Sequence, residues 1–172
     1  MKNSILIIFL AFNFSSFGQT IDSTWAVTHY QKTEVYIPMR DSVKLFTSIY
    51  LPKDTVEKHP ILFLRTPYSC APYGENNFIP FWSGYWKQYL KEGYIFVFQD
   101  VRGRWMSEGN FENVRPFDAD KKGKEVDEAS DAYDAIDWMV KHIPGNNGRV
   151  GAAGVSYPGF MQQKQHYAGI RH

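Results

Sequence analysis

One serine lies between two glycines at a spacing that suits covalent chemistry. The stretch GVSYPGF, residues 154–160, places Ser156 two residues after Gly154 and three before Gly159, close to the G-x-S-x-G pattern of nucleophilic serines. In such a turn the chain passes abruptly from a strand to a helix, and side chains at the glycine positions would collide. The bend exposes the serine hydroxyl and directs the next amide, that of Tyr157, toward a developing oxyanion. The pattern predicts acyl transfer, with an ordinary serine in a glycine-rich turn as the alternative.

Strands must lead into this turn, and the sequence before it supplies them. Apolar and β-branched runs predict strands near residues 35–37, 43–51, 61–65, 94–100 and 149–154. The turn-like Arg-Asp-Ser at residues 40–42 joins the first two into an antiparallel hairpin. The later strands alternate with helical segments, which is typical of parallel strands. We therefore expect an α/β fold.

The clearest helix covers residues 126–142. Acidic residues occupy its first turn, and Lys141 and His142 its last. A second helix is predicted over about 80–91, ended by Gly93. The aromatic residues in and just before it could line a substrate pocket or pack the helix, and they are Phe78, Phe81, Trp82, Tyr85 and Trp86. The predicted apolar stripe of the first helix, at the i, i+3, i+4 spacing, consists of Ala129, Ala132, Tyr133, Ile136, Met139 and Val140.

Four blocks of sequence together resemble one family. They are RTPYS (65–69), DVRGRWMSEGNF (100–111), DAYDAIDWMVKH (131–142) ahead of NGRVG, and GVSYPGF. In this order the chain from about Glu34 to Phe160 resembles the α/β-hydrolases of the X-Pro dipeptidyl peptidase, cocaine esterase and α-amino acid ester hydrolase group, which includes the glutaryl-cephalosporin acylases. The resemblance implies that residues 19–160 form the N-terminal part of an α/β-hydrolase domain, truncated after the nucleophile turn.

The resemblance also implies roles for individual residues. Ser156 matches the nucleophile that accepts the acyl group, and Tyr157 matches the residue whose backbone amide forms half of the oxyanion hole. Tyr68 matches the tyrosine whose hydroxyl forms the other half. The implied substrates are a peptide, an amino-acid ester or an acyl-amide, and no cofactor is implied. We interpret Asp100, Arg102, Arg104 and Glu108, in the second block, as an ion-paired loop that shapes the domain.

The catalytic acid and base pose a separate question. In α/β-hydrolases both follow the serine in the chain, and here only His166 and His172 follow it, within or just past the helix that the turn starts. We expect neither to act as the base. Residues 161–172 are polar without an apolar stripe, and we attribute this atypical tail to a shift of reading frame after Phe160. The expected function is therefore that of a serine hydrolase that cleaves ester or amide bonds through an acyl-enzyme, with this chain an incomplete fragment that lacks the acid and the histidine. The alternative is a catalytically inactive remnant or a binding-only product.

Composition narrows the classes of partner. Lysine and arginine (19) nearly balance aspartate and glutamate (18), and no basic run is interleaved with aromatic residues, so neither nucleic acid nor an anionic membrane is an expected partner. The expected partner is a small-molecule or peptide substrate. The segment DADKKG from Asp118 resembles a calcium loop, but Lys122 and Ala129 occupy ligand positions that they cannot fill. No metal site is predicted, and the single Cys70 excludes an internal disulfide.

The first 18 residues predict export. Lys2 precedes the apolar run SILIIFLAFNF, and Ser16 and Gly18 form a small-x-small cleavage site. The run is too short for an ordinary membrane span, so residues 1–18 are predicted to be a cleaved signal peptide without an anchor. The mature protein would be periplasmic or extracellular.

Overall fold

The computed structural model of the chain describes residues 21–80, 83–113 and 115–166, with side chains described up to Met161. The predicted signal peptide and the end of the atypical tail lie outside these residues. The elements in chain order are α1 (Ser23–His29), β1 (Tyr30–Pro38), β2 (Lys44–Pro52), β3 (His59–Thr66), α2 (Trp86–Lys91), β4 (Ile95–Asp100), α3 (Glu128–His142), β5 (Asn146–Ala152) and α4 (Tyr157–His166).

These strands form one mixed sheet in the order β1-β2-β4-β3-β5. β1 and β2 are the predicted antiparallel hairpin, and β2 pairs antiparallel with β4. β3 pairs parallel with both β4 and β5. The C-terminal ends of β3, β4 and β5 therefore meet along one side of the sheet, called here the carboxyl edge. The predicted α/β fold, a hairpin followed by parallel strands and helices, is confirmed.

Both faces of the central strands are covered, which explains why their sequences are almost continuously apolar. Along β3, Ile61 and Phe63 face the core under α3, whereas Leu62 faces the opposite core. The second core includes Ala26 of α1 and Leu90 of α2. Helices on both faces thus hold the sheet in a fixed layer, and the loops at the carboxyl edge are built on that rigid base.

Helix α3 begins with a capping box. The Asp127 carboxylate accepts the Ser130 amide at 2.7 Å, and the Ser130 hydroxyl accepts the Asp127 amide at 2.8 Å. Burial by itself would raise the pKa of Asp127, but hydrogen bonds from the amides of Ser130 and Asp118, together with Lys121, lower it below its usual value. The carboxylate is therefore charged in the folded protein and supports the helix N-terminus.

The apolar stripe of α3 differs from the prediction at one position. Tyr133 is 45% exposed, and its ring lies under the Arg40 guanidinium at 6.0 Å. Ala135, which was not included in the predicted stripe, is fully buried in its place. Ala135 belongs to the buried cluster between α3 and the sheet, where a small side chain fits and a tyrosine would not.

Buried charges join α3 to the carboxyl edge. Arg65 of β3 is fully buried and contacts the Glu128 carboxylate at 3.0 Å, and Arg102 bridges Asp131 and Asp41 at 2.7 Å each. Burial opposes the charge of Arg102, but hydrogen bonds to its two carboxylates outweigh burial and raise its pKa. Each charge depends on its partner, because an unpaired buried ion is costly.

The helix predicted over 80–91 is shorter than expected. Only Trp86–Lys91 is helical, because Pro80 and Ser83 form a turn and Gly84 has a φ of +66°. The predicted stop is present, with Gly93 at a φ of +73°. Of the aromatic residues, Phe78 and Trp86 pack against the second core; positions 81 and 82 lie outside the described residues. Within the described ranges, no helix has the length and hydropathy to cross a membrane.

Candidate active site at the carboxyl edge

Ser156 occupies a sharp turn between β5 and α4. Its φ is +61°, a left-handed conformation that costs a non-glycine residue about 1 to 2 kcal/mol. The side chain is exposed, and the Ser156 carbonyl accepts the Phe160 amide at 2.9 Å in the first turn of α4. A residue held in this conformation on the surface is typical of functional sites. The turn places the hydroxyl at the carboxyl edge, at the N-terminus of a helix.

Gly154 makes this turn sterically possible. A Cβ atom at Gly154 would lie 2.5 Å from the carbonyl carbon of Pro158 and 2.6 Å from the nitrogen of Gly159. A Cβ at Gly159 would in turn lie 3.0 Å from the Gly154 carbonyl oxygen. The two glycines therefore approach each other closely on either side of Ser156.

Tyr157 is the first residue of α4, so its amide lies in the helix turn whose N–H groups point beyond the helix N-terminus. Its hydroxyl donates to Asn113 Oδ1 at 2.7 Å. This bond links α4 to the segment that follows the second sequence block. Asn113 was not among the predicted site residues, since no spacing in the sequence connects it to Ser156.

Tyr68 lies beside the same turn. It follows the end of β3, is 62% exposed, and its ring packs edge-on against the Tyr157 ring with 6.3 Å between centroids. Its amide donates to the Thr66 hydroxyl at 3.0 Å. The structure therefore brings Tyr68 to the same edge as Ser156 and Tyr157, although Tyr68 lies 88 positions before Ser156 in the sequence.

The loop that carries Tyr68 is tied to the loop after β4. The Pro67 carbonyl accepts the Trp105 indole N–H at 2.9 Å and Arg104 Nε at 3.2 Å. The Asp100 carboxylate accepts the Cys70 amide at 2.8 Å and the Tyr73 hydroxyl at 3.0 Å. Of the four residues predicted to form an ion-paired loop, only Arg102 makes an ion pair in the described part of the chain. Asp100 and Arg104 instead bind neutral groups, and Glu108 accepts the Lys44 amide at 2.9 Å.

The buried Lys32 holds residues 72–77, which continue from the loop that carries Tyr68. Lys32 Nζ donates to the carbonyls of Pro72, Gly74 and Asn77 at 2.6, 3.0 and 3.0 Å. It also pairs with Glu34 at 2.7 Å, and Glu34 accepts the Gly74 amide. An ammonium group has three protons to donate, so this site satisfies a cation that would otherwise be costly to bury.

The histidines with described side chains lie at the other end of the sheet. His59 begins β3, and its amide donates to the Gly145 carbonyl just after α3, whose last residue is His142. His29 lines the same cavity as His59. Ser156 is at the opposite, carboxyl edge, so none of these three imidazoles can accept its proton. His166 ends α4, nine residues after Tyr157 or about 14 Å along the helix; its side chain and all of His172 lie outside the described residues.

Two further groups near the site titrate outside the usual range. Burial, followed by the nearby Asp100 charge, raises the pKa of the Cys70 thiol to about 12. Burial also raises the pKa of Tyr73 to about 12. Both groups are therefore neutral at physiological pH and act as hydrogen-bonding partners rather than as bases. Among the residues with described side chains, which end at Met161, no cluster of three His, Cys, Asp or Glu could hold a metal ion.

The sheet order, the strand–turn–helix at Ser156 and the position of that turn at the carboxyl edge define the N-terminal part of an α/β-hydrolase domain. Residues 41–167 match the profile of the X-Pro dipeptidyl-peptidase (S15) family. The chain belongs to this family, which confirms the resemblance seen in the sequence.

Individual relatives agree with this assignment. Cocaine esterase of Rhodococcus sp. (strain MB1 Bresler) is 32% identical over 154 residues, which cover 87% of this chain and 23% of that protein. An α-amino acid ester hydrolase structure is 38% identical with a TM-score of 0.67, covering 91% of this chain and 26% of that one. An aminopeptidase structure from the marine sediment archaeon Thaumarchaeota archaeon is 37% identical with a TM-score of 0.68, covering 79% and 23%. The chain thus spans about a quarter of the length of these relatives.

Proposed function

We propose that this chain carries the nucleophile and oxyanion hole of a serine hydrolase that cleaves ester or amide bonds. The observation that carries the proposal is the exposed Ser156 with a φ of +61° at the N-terminus of α4, next to Tyr157, whose ring contacts that of Tyr68. An exposed serine held in a strained turn at a helix N-terminus suits nucleophilic attack, because the same turn presents an amide donor to the oxygen that becomes charged.

The chemistry proceeds in two steps. Ser156 Oγ attacks the carbonyl carbon while a base takes its proton, and the oxyanion accepts hydrogen bonds from the Tyr157 amide and the Tyr68 hydroxyl. The intermediate then expels an alcohol or amine, which receives that proton, and leaves an acyl group on Oγ. Water, deprotonated by the same base, releases the acid and regenerates the serine.

We propose that the base and its acidic partner come from sequence other than these 172 residues, since neither His166 nor His172 is expected to act as the base. The three described histidine side chains lie at the far end of the sheet, and serine without a base is a poor nucleophile. This placement also favours the second candidate, a catalytically inactive or binding-only product, for the 172 residues by themselves.

The substrate class follows from the relatives. Their names describe an aminopeptidase, an α-amino acid ester hydrolase and a cocaine esterase, which share a carbonyl group bonded to a nitrogen or oxygen leaving group. We propose that this protein acts on such a bond in a peptide, an amino-acid ester or an acyl-amide.

A fluorophosphonate probe tests the proposal. Two proteins are compared: the 172-residue chain, and the product read in the neighbouring frame after Phe160. We expect Ser156 to be labelled in the longer product only, with labelling abolished by Ser156→Ala. Ser42→Ala is the matched control, because Ser42 is also an exposed serine with a positive φ, +74°, but lies in the hairpin turn. A longer product that is unlabelled, or labelled equally after Ser156→Ala, would show that the chain is not a serine hydrolase.

Removing the second oxyanion donor gives an independent test. Tyr68→Phe should lower the labelling rate about 100-fold or more, since one such donor contributes about 10²–10³ to the rate. The control is Tyr85→Phe, a tyrosine that is similarly exposed but lies before α2. Equal labelling rates for the two variants would show that the Tyr68 hydroxyl is not part of the oxyanion hole.

We also propose export with cleavage after Gly18. Mass spectrometry of the protein secreted by its native host should find Gln19 at the N-terminus. An intact Met1 on the mature protein would contradict this.

A further inference from the structure

The loop of residues 67–73, called here the Tyr68 loop, is organised around one buried carboxylate. Asp100, the last residue of β4, is fully buried. Its Oδ1 accepts the Cys70 amide at 2.8 Å, and its Oδ2 accepts the Tyr73 hydroxyl at 3.0 Å and the Met106 amide at a longer 3.4 Å. Two of these three donors belong to the Tyr68 loop.

A hydrogen-bonded chain runs from this carboxylate to the residue next to Tyr68. The Tyr73 hydroxyl donates its hydrogen bond to Asp100 Oδ2. The Ser69 hydroxyl, 2.8 Å away, must therefore be the donor in its hydrogen bond with the Tyr73 oxygen. Ser69 Oγ then accepts the Ala71 amide at 3.0 Å. Ser69 has a φ of +88°, a conformation that a serine keeps only when its surroundings hold it there.

The carboxylate therefore fixes the backbone on the C-terminal side of Tyr68. On the N-terminal side the loop is held at the Pro67 carbonyl by the Trp105 indole, which belongs to the loop following Asp100. Tyr68 itself is 62% exposed, and its ring lies edge-on to the Tyr157 ring. Its position relative to Ser156 depends on this contact and on the backbone anchors on either side.

We propose that Asp100 is a positioning residue, which holds the Tyr68 loop so that the Tyr68 hydroxyl faces the oxyanion formed at Ser156. This inference rests on the proposed serine-hydrolase function. Asp100 touches neither substrate nor reacting atoms and acts through Tyr68. Because a buried ionised carboxylate is strongly disfavoured unless several donors satisfy it, loop and carboxylate stabilise each other.

A double-mutant cycle tests the coupling in the longer product, the one read in the neighbouring frame after Phe160. Asp100→Asn replaces one acceptor oxygen by an N–H₂ group, and we expect kcat to fall about tenfold or more with little change in KM, because an oxyanion donor acts only in the transition state. In the Tyr68→Phe background the same substitution should lower kcat less than about threefold. Equal losses in both backgrounds, or a loss confined to KM, would overturn the proposal.

Two further variants guard against a general loss of structure. Tyr73→Phe removes only the hydroxyl between Asp100 and Ser69 and leaves the carboxylate in place. Like Asp100→Asn, it should lower kcat less in the Tyr68→Phe background than in the wild-type background. Asp131→Asn changes a buried acid that binds Arg102 rather than the Tyr68 loop, and its effect should be the same in both backgrounds. If Asp131→Asn is as strongly coupled to Tyr68→Phe as Tyr73→Phe is, the effect is structural and the proposal fails.

Hydrogen–deuterium exchange separates this inference from the proposed function. In Asp100→Asn we expect exchange of residues 67–73 to rise about tenfold or more, while β4 retains its protection. Unchanged exchange in the Tyr68 loop, or an equal rise in β4, would overturn the role of Asp100. If the longer product shows no turnover, the hydrolase function is refuted. The exchange rates alone then decide whether Asp100 fixes the loop.

Discussion

Gly154→Ala tests whether the turn at Ser156 has the close packing that the proposed chemistry needs. The added Cβ would lie 2.5 Å from the Pro158 carbonyl carbon and 2.6 Å from the Gly159 nitrogen. Both are backbone atoms, so no change of rotamer can relieve the contact. Carbon contacts become ordinary at 3.4 Å, so the start of α4 must move by about 0.9 Å. Such overpacking of backbone costs about 3 kcal/mol, and a displacement of about 1 Å at a reacting group costs about 100-fold in rate.

Two assays measure these effects. Urea unfolding followed by tryptophan fluorescence gives the free energy of unfolding, and fluorophosphonate labelling of the longer product gives the reactivity of Ser156. The matched control is Gly151→Ala in β5, whose Cβ would meet Leu62 Cδ1 at 3.7 Å and the Ile61 carbonyl oxygen at 3.9 Å, both ordinary contacts; we expect a change under about 1 kcal/mol. If Gly154→Ala is as stable and as reactive as Gly151→Ala, the described turn is not required.

Three other substitutions or modifications probe the surroundings of the site. Arg102→Met removes the cation that contacts the buried Asp131 carboxylate at 2.7 Å and leaves it with Arg65 at 3.8 Å, and the free energy of unfolding in urea should fall by about 3 to 5 kcal/mol; a fall below about 1 kcal/mol would contradict the network. Asp127→Ala should lose about 1 kcal/mol at neutral pH. Because the folded pKa of Asp127 lies below its usual 3.8, its contribution is complete above that value and disappears as the pH falls through the folded pKa, so a gap between wild type and variant that persists undiminished in strong acid would refute this. The Cys70 thiol, buried and with a pKa near 12, should react with a disulfide reagent at about pH 8 only after unfolding, and rapid reaction of the native protein would show that it is accessible.

The parts of the fold that periodicity encodes could be predicted from the sequence. β3 and β4 are covered on both faces, so their apolar runs are continuous and their positions followed directly. Helix α3 carries acids at its start and bases at its end, and it begins within two residues of the predicted position. Strands that are buried on both faces, and helices long enough to repeat an apolar pattern, can be predicted in this way.

Short elements and buried charges could not be predicted by the same means. Helix α1 has seven residues and α2 six, too few for the helical period to stand out from the surrounding sequence. Glu128 and Asp131 look like solvent-facing acids at a helix N-terminus, yet both are buried because Arg65 and Arg102 reach them from the sheet. Ion pairs between residues far apart in the chain leave no local signal.

The candidate site likewise has one part that the sequence predicts locally and one part that depends on contacts between distant residues. The turn at Ser156 is encoded within six residues, since close approach of Gly154 and Gly159 is a local requirement. The support for Tyr68 depends instead on Asp100, 32 positions away in the sequence, and becomes visible only once β3 and β4 are paired in register. In that register Thr66 stands opposite Asp100, so the two loops leave the sheet side by side and the carboxylate reaches the loop that carries Tyr68. The parallel pairing of β3 and β4 therefore does more than build the core, because it brings the buried Asp100 carboxylate to the loop that carries Tyr68.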